Sequence, residues 1–258
     1  MGEIHALPTR RGPASQAIGQ AVVHTPSAAC PEPCNNCTAR SLTICAPLTM
    51  DEQLRMADLA TTACLRPHQV LFGEGDAAEH VYNITSGSLS LSKSMADGRR
   101  QITGFLGPGD FVGLNTREAY TVSAETLTET HVCRFPRLAF RKLMATMPAL
   151  EHKLLALAES ELATAQEQIL LLGRKTAMER IASFLLLQSE RCRARGMAAN
   201  PIPLPMTRAE VADYLGLTIE TVSRCFTKLR KLEVIGLLAA DRVEIKQPDR
   251  LRHLAEAA

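Results

Sequence analysis

The 258-residue chain has no long hydrophobic run. Its longest apolar stretches, such as Ile169–Leu172 and Phe184–Leu187, fall far short of the roughly 18 residues that a spanning helix needs, so no membrane partner is expected. Arg10 and Arg11 are followed by no continuous apolar core, so no signal peptide is read and a cytoplasmic protein is expected. A dinucleotide-binding glycine motif, a His-Glu-x-x-His pair and a nucleophile elbow are all missing. The seven histidines are scattered, and no substrate site emerges; the chain is read as a non-enzyme. Internal repeats and low-complexity runs are also lacking. What remains is globular: hydrophobic content of 46% is too high for a disordered chain, and the length allows two domains.

Cysteine, by contrast, is abundant and unevenly placed. Four of the eight cysteines fall in "CPEPCNNCTARSLTICAPL", as Cys30, Cys34, Cys37 and Cys45. In a reducing compartment such clustering is more often metal ligation or redox chemistry than disulfide structure. Cys34-x-x-Cys37 lets two thiolates reach one centre from a single turn, and Pro31, Pro33, Asn35 and Asn36 favour a loop there. Soft thiolates suit an iron–sulfur cluster, a structural zinc ion also takes four of them, and a metal-free thiol switch is the third option. Zinc sites of that type usually combine two Cys-x-x-Cys pairs, and only one is present. Cys64, Cys192 and Cys225 are read as small hydrophobes within regular structure.

Residues 1–29 are an aperiodic Ala/Pro/Gly/Ser tail, and 30–47 form the cysteine-rich segment. Within 48–147, a helical pattern from about Met50 to Ala63 gives way to short β-type runs separated by glycine turns, including "HVYNITSGSLSLS" and "ETHVCRFP". Runs at that spacing predict an antiparallel sandwich or barrel. Pro148 then opens a helix over 148–173 in which Leu155, Ala158, Leu162, Ala165, Ile169 and Leu172 recur at heptad spacing. That seam predicts pairing of two such helices in a homodimer, with packing on its own sheet as the alternative. Residues 174–258 carry 15 basic against 10 acidic residues, net +5, whereas 1–173 is net −3. A basic C-terminal portion fits nucleic-acid contact.

The sharpest local signal is "MTRAEVADYLGLTIETVSRCFTKLRKLEVI". Thr207 with Glu210 is a capping box, Gly216 permits a tight turn, and Thr218 can cap a second helix. Val211, Ala212 and Leu215 face inward on the first helix, as do Val222, Phe226 and Leu229 on the second. This is a helix-turn-helix over 207–231, with "VIGLLAADRVEIK" as a two-stranded wing. Glu220, Ser223, Arg224 and Lys228 then point outward beside Thr218, in position to meet double-stranded DNA.

With those motifs in place the chain resembles the CRP/FNR family of bacterial transcription regulators, and specifically its oxygen-sensing FNR branch. The resemblance spans nearly the whole sequence and is carried by "LGLTIETVSR", "QITGFLGPGDFVG" and "QILLLGRKTAMERIASFL". It implies an α+β fold: an N-terminal antiparallel β-roll of cyclic-nucleotide-binding type, a long dimerisation helix and a C-terminal winged helix-turn-helix. It further implies that Glu220, Ser223 and Arg224 read TTGAT half-sites of a palindrome. A 4Fe-4S cluster would be held by Cys34, Cys37, Cys45 and the remote Cys133, and RNA polymerase would be a partner through the turn "SKSMADGRRQ" and the loop 191–196. The cyclic-nucleotide branch is not matched: Asn115 stands where its glutamate belongs, and Tyr120-Thr121 where its Arg-Ser pair belongs. Without that cation a desolvated cyclic phosphate would go uncompensated.

Overall fold

The computed structural model describes residues 37–256, except Thr116 and Ala240. The expected tail over 1–29, Cys30 and Cys34 lie outside the described residues. Helix α1 (Met50–Leu59) is capped by Thr49 and Glu52, which hydrogen-bond each other's backbone amides. Eight strands follow: β1 (Thr61–Leu65), β2 (Val70–Phe72), β3 (His80–Ser86), β4 (Leu89–Ser94), β5 (Arg100–Leu106), β6 (Phe111–Val112), β7 (Ser123–Thr126) and β8 (Thr130–Pro136). They form two four-stranded antiparallel sheets, ordered β1-β8-β3-β6 and β2-β7-β4-β5. The helical reading to Ala63 is therefore too long. Thr61, Thr62 and Ala63 pair with Arg134, Cys133 and Val132, and a ready partner strand outweighs the helical pattern at β-branched residues.

Side-chain alternation along β3 and β8 determines what the outer face of the first sheet presents. Tyr82, Ile84 and Val132 point into the sandwich with Phe72, Leu89 and Tyr120. Their neighbours Val81, Cys133 and Phe135 point the other way, into a second apolar cluster with Ile44, Leu48, Met56, Phe140, Met147, Leu150 and Leu154. That second cluster joins the cysteine segment, α1, α2 (Arg137–Met144) and the first turns of α3 (Pro148–Arg174) into one packed layer.

The C-terminal domain contains α4 (Ala177–Ala194), β9 (Ile202–Pro203), α5 (Arg208–Leu215), α6 (Ile219–Lys231), β10 (Ile235–Ala239), β11 (Arg242–Ile245) and α7 (Pro248–Glu256). The wing has three strands rather than two, in the order β10-β11-β9, and α7 buries Leu251 and Ala255 against the domain core. Arg180 joins α3, α4 and α5 by donating to the carbonyls of Leu172, Lys175 and Leu215 at 2.8, 2.9 and 2.8 Å. These groups lie at helix ends that have no partner further along the helix.

Strand β5 rests on this domain. Ile102 and Phe105 share a core with Phe184 and Tyr214. Around them Arg100 pairs with Asp213 at 3.0 Å, Arg195 with Asp110 at 2.6 Å, and Arg191 donates to the Phe105 carbonyl at 2.7 Å. The stretch 191–196, expected as a loop, is instead the last turn of α4 with its C-cap Arg195, and it is less exposed than its charge implied: Arg191 and Arg195 turn to the β-roll, and Arg193 faces solvent. No helix among the described residues is long and apolar enough to cross a membrane.

Candidate cysteine cavity and nucleic-acid interface

The segment before α1 is a succession of turns pinned by one apolar plug. Ile44 is fully buried, and Gln53 on α1 donates to the carbonyls of Cys45 and Leu48 at 3.4 and 2.9 Å. This lays the segment over the outer face of the β3–β8 pair. Cys37 and Cys45 from the segment, and Cys133 from β8, line a single cavity together with Arg40, Thr43, Asn83 and Phe135. Cys34, the remaining expected ligand, lies outside the described residues. A run of 87 residues separates Cys45 from Cys133 in sequence, so only the fold brings these sulfurs together.

The donor set matches an iron–sulfur group in kind, being soft sulfur on an otherwise largely apolar wall. Asn83 is 2% exposed, and its side-chain oxygen is buried with no hydrogen-bond partner. The cavity itself measures about 20 Å³, room for little more than one water, so the segment is packed down on the sheet. Among the described residues no three His, Cys, Asp or Glu side chains are disposed to hold a single metal ion. Cys192 and Cys225 lie elsewhere, buried within α4 and α6, and burial pushes both thiols up from their ordinary pKa. Such thiols are poor nucleophiles near neutral pH.

Helix α3 runs for 27 residues, about 40 Å, and within one chain buries only Leu150, Leu154 and Leu171. Leu155, Leu162 and Ile169 of the heptad seam are 59, 61 and 71% exposed. Ala158 and Ala165 are exposed as well, while Leu172 is half-buried against the C-terminal core. A cleft of about 470 Å³ separates α3 from the β-roll, lined by Phe72, Leu91, Val122, Leu162 and the carboxylates Asp110 and Glu161. Among the described residues that line it, none is Lys or Arg.

Helices α5 and α6 are built as their sequence predicts locally. Thr207 and Glu210 cap α5, with bonds of 2.6 and 3.2 Å to each other's amides. Gly216 ends α5 at φ 61°, a left-handed conformation open to glycine, and Thr218 caps α6 by accepting from the Thr221 amide at 3.2 Å. Val222, Phe226 and Leu229 are buried; Glu220, Ser223, Arg224 and Lys228 share the exposed side with Thr218. Glu220's own amide, then Thr218 and Arg224, hold its carboxyl below the usual carboxylate range, leaving an ionised acceptor beside a cation. The guanidinium of Arg208 stacks on Phe226 at 3.5 Å to the ring centroid and braces the two helices.

Two family models match the chain: a cyclic nucleotide-binding domain over residues 63–147 and a Crp-like helix-turn-helix domain over 179–254. The nitrogen fixation regulation protein FixK of Bradyrhizobium diazoefficiens is 38% identical over 224 residues, covering 87% of this chain and 94% of that protein. The transcriptional activator protein FnrA of Stutzerimonas stutzeri is 37% identical over 216 residues, covering 83% and 87%. The solved structure of FixK2 from Bradyrhizobium japonicum superposes with a TM-score of 0.72 at 38% identity, covering 77% of this chain and 98% of that one. The antiparallel β-roll, long helix and C-terminal helix-turn-helix are common ground with it.

Proposed function

Because this chain belongs to the CRP/FNR family of DNA-binding transcription regulators, and is not an enzyme, we propose that it is an oxygen-responsive activator working as a homodimer on TTGAT-N4-ATCAA-type palindromes. Its sensing group in this reading is a 4Fe-4S cluster held by Cys34, Cys37, Cys45 and Cys133. The observation that carries the proposal is the meeting of Cys37, Cys45 and Cys133 on one cavity. Held by those cysteines, a cluster would supply an oxygen-labile tie between the N-terminal segment and β8.

The chain's own residues do the rest. Ile44 and Leu48 hold the segment in the same apolar layer as Met147, Leu150 and Leu154, at the root of α3. Order in the cysteine segment therefore steadies the first turns of α3, whose stripe of Leu155, Leu162 and Ile169 can then meet its counterpart in a second copy. Two α6 helices reach successive major grooves only in such a dimer, so a monomer forfeits most of its affinity. In each half-site Arg224 would donate to a guanine, Glu220 would accept from a cytosine amino group, and Ser223 would bond a base edge or phosphate. Activation requires contact with RNA polymerase, for which the exposed turn 95–99 offers a surface.

A gel shift under strictly anaerobic conditions, repeated after exposure to air, tests the reading. Binding to the palindrome should fall steeply with air; equal affinity before and after would rule out oxygen control. The cleft between α3 and the β-roll favours one alternative, a regulator of the same architecture answering to a small effector. Colourless, iron-free anaerobic protein that still binds the palindrome would support that alternative.

A further inference from the structure

Asn83 is out of place by every packing criterion. It sits in the middle of β3, a central strand buried on both faces, between Tyr82 and Ile84 of the sandwich core. The alternation that sends those two inward sends Asn83 outward, into the cavity lined by Cys37, Cys45 and Cys133. It lies directly across the ladder from Cys133, so the two side chains are nearest neighbours on one sheet face. Met56, Ala60 and Phe135 provide apolar walls around it. With 2% exposure and a side-chain oxygen that has no partner, the amide bears the desolvation penalty of a polar group without the hydrogen bond that would offset it. A valine or leucine would fill the site without that penalty.

A buried amide in such a place needs a counterpart within the cavity. The nearby hydroxyl, on Thr43, is already engaged with the Arg40 carbonyl and the Cys45 amide. The amide's oxygen and nitrogen exchange places by a half-turn about Cβ–Cγ, so the group is able to present its two N–H donors to the sulfurs of the cavity. Thiolate and sulfide sulfurs accept such donors, and hydrogen bonds to sulfur are among the levers that set cluster potential and lifetime. Resting on the cluster reading above, we infer that Asn83 is a positioning residue of the sensor, donating its side-chain N–H to the Cys133 sulfur once that sulfur is a cluster ligand. The donor withdraws charge from the sulfur, favours the reduced side of the couple and slows oxidative loss. An amide that merely retains a trapped water is the competing account.

The test uses the full chain, reconstituted without air, as wild type, Asn83→Leu and Asn83→Val; the valine is the β-branched choice that a central strand accommodates if leucine does not fold. Iron and sulfide per chain, Fe–S stretching frequencies, reduction potential and the half-life of visible absorbance in air are measured, with melting of the metal-free forms as the control for folding. Wild type and variants should load equally. The variants should bleach roughly tenfold faster, as loss of an outer-shell partner commonly brings. Their Fe–S frequencies and potential should shift, while the metal-free proteins melt at or above the wild-type temperature. A loaded variant with wild-type frequencies, potential and half-life would mean that the amide holds only water, and overturns the inference while leaving the cluster intact. Wild type that binds no iron overturns both.

Discussion

On the recognition helix, single side chains separate affinity from specificity. Arg224 is exposed and unencumbered by packing, so its replacement leaves the fold alone and, in the proposed reading, removes one base contact. Arg224→Ala should cost about 1–3 kcal/mol at the cognate base pair, read as lost discrimination between matched and mismatched duplexes in a gel shift. A uniform loss on all sequences would instead assign Arg224 to phosphate. Glu220 offers a pH test with a definite sign. Its carboxyl is held below the ordinary value of 4.5, so the ionised acceptor is favoured and is lost only as pH falls through that lowered value. Preference at the cytosine position should therefore stay constant from about pH 8 to pH 5.5. A decline within that window would transfer the contact to a group that titrates there, such as a histidine.

At the level of elements, helix ends and strand faces account for most of what was legible and most of what was not. The Thr207–Glu210 box, Gly216 and the Thr218 cap are local devices, complete within a dozen residues, and sequence reasoning places them as the structure does. Heptad spacing in α3 is equally local, and its stripe is exposed in the single chain. Cross-strand facts are different. That Asn83 faces Cys133, or that Arg191 turns to β5 and Arg195 to Asp110 just beyond it, depends on partners 50 to 86 residues away, and no nearby pattern encodes it. The signal available for Asn83 was an amide between Tyr82 and Ile84 in a strand-like run. Helices α2 and α7 and the short β9 were missed because each is brief, at most nine residues, and too short to be stable without the surface on which it docks. Arg180 is a further long-range case and a useful one. Its three charged hydrogen bonds close the ends of α3 and α5, so Arg180→Ala should lower stability by about 2–4 kcal/mol in thermal melts. A change below about 0.5 kcal/mol would show that water replaces it there at no cost.

For the molecule as a whole, the magnitude of helix pairing decides whether a sensor can govern it. Burying the exposed parts of Leu155, Leu162 and Ile169 on two copies is worth about 5–11 kcal/mol gross, against an association cost of about 4–15 kcal/mol. The stripe alone leaves the dimer marginal, which is the condition under which ordering a short N-terminal segment can tip it. Leu162→Glu should accordingly give a monomer by analytical ultracentrifugation at concentrations where anaerobic wild type is dimeric, with iron content unchanged. A dimer that survives the substitution would move the interface off α3. Strand β5 adds a second route across the molecule, since Phe105 shares its core with Tyr214 of α5 and fixes the β-roll to the DNA-binding domain.

The most direct measurement is the visible spectrum of protein purified and kept without air, with iron and acid-labile sulfide counted per chain, for wild type beside Cys133→Ala. Four sulfurs acting on one centre predict a coloured wild type with about four irons and four sulfides, and a colourless, iron-poor variant. Wild type free of iron, or a Cys133→Ala variant with the same spectrum and iron content, would contradict the account.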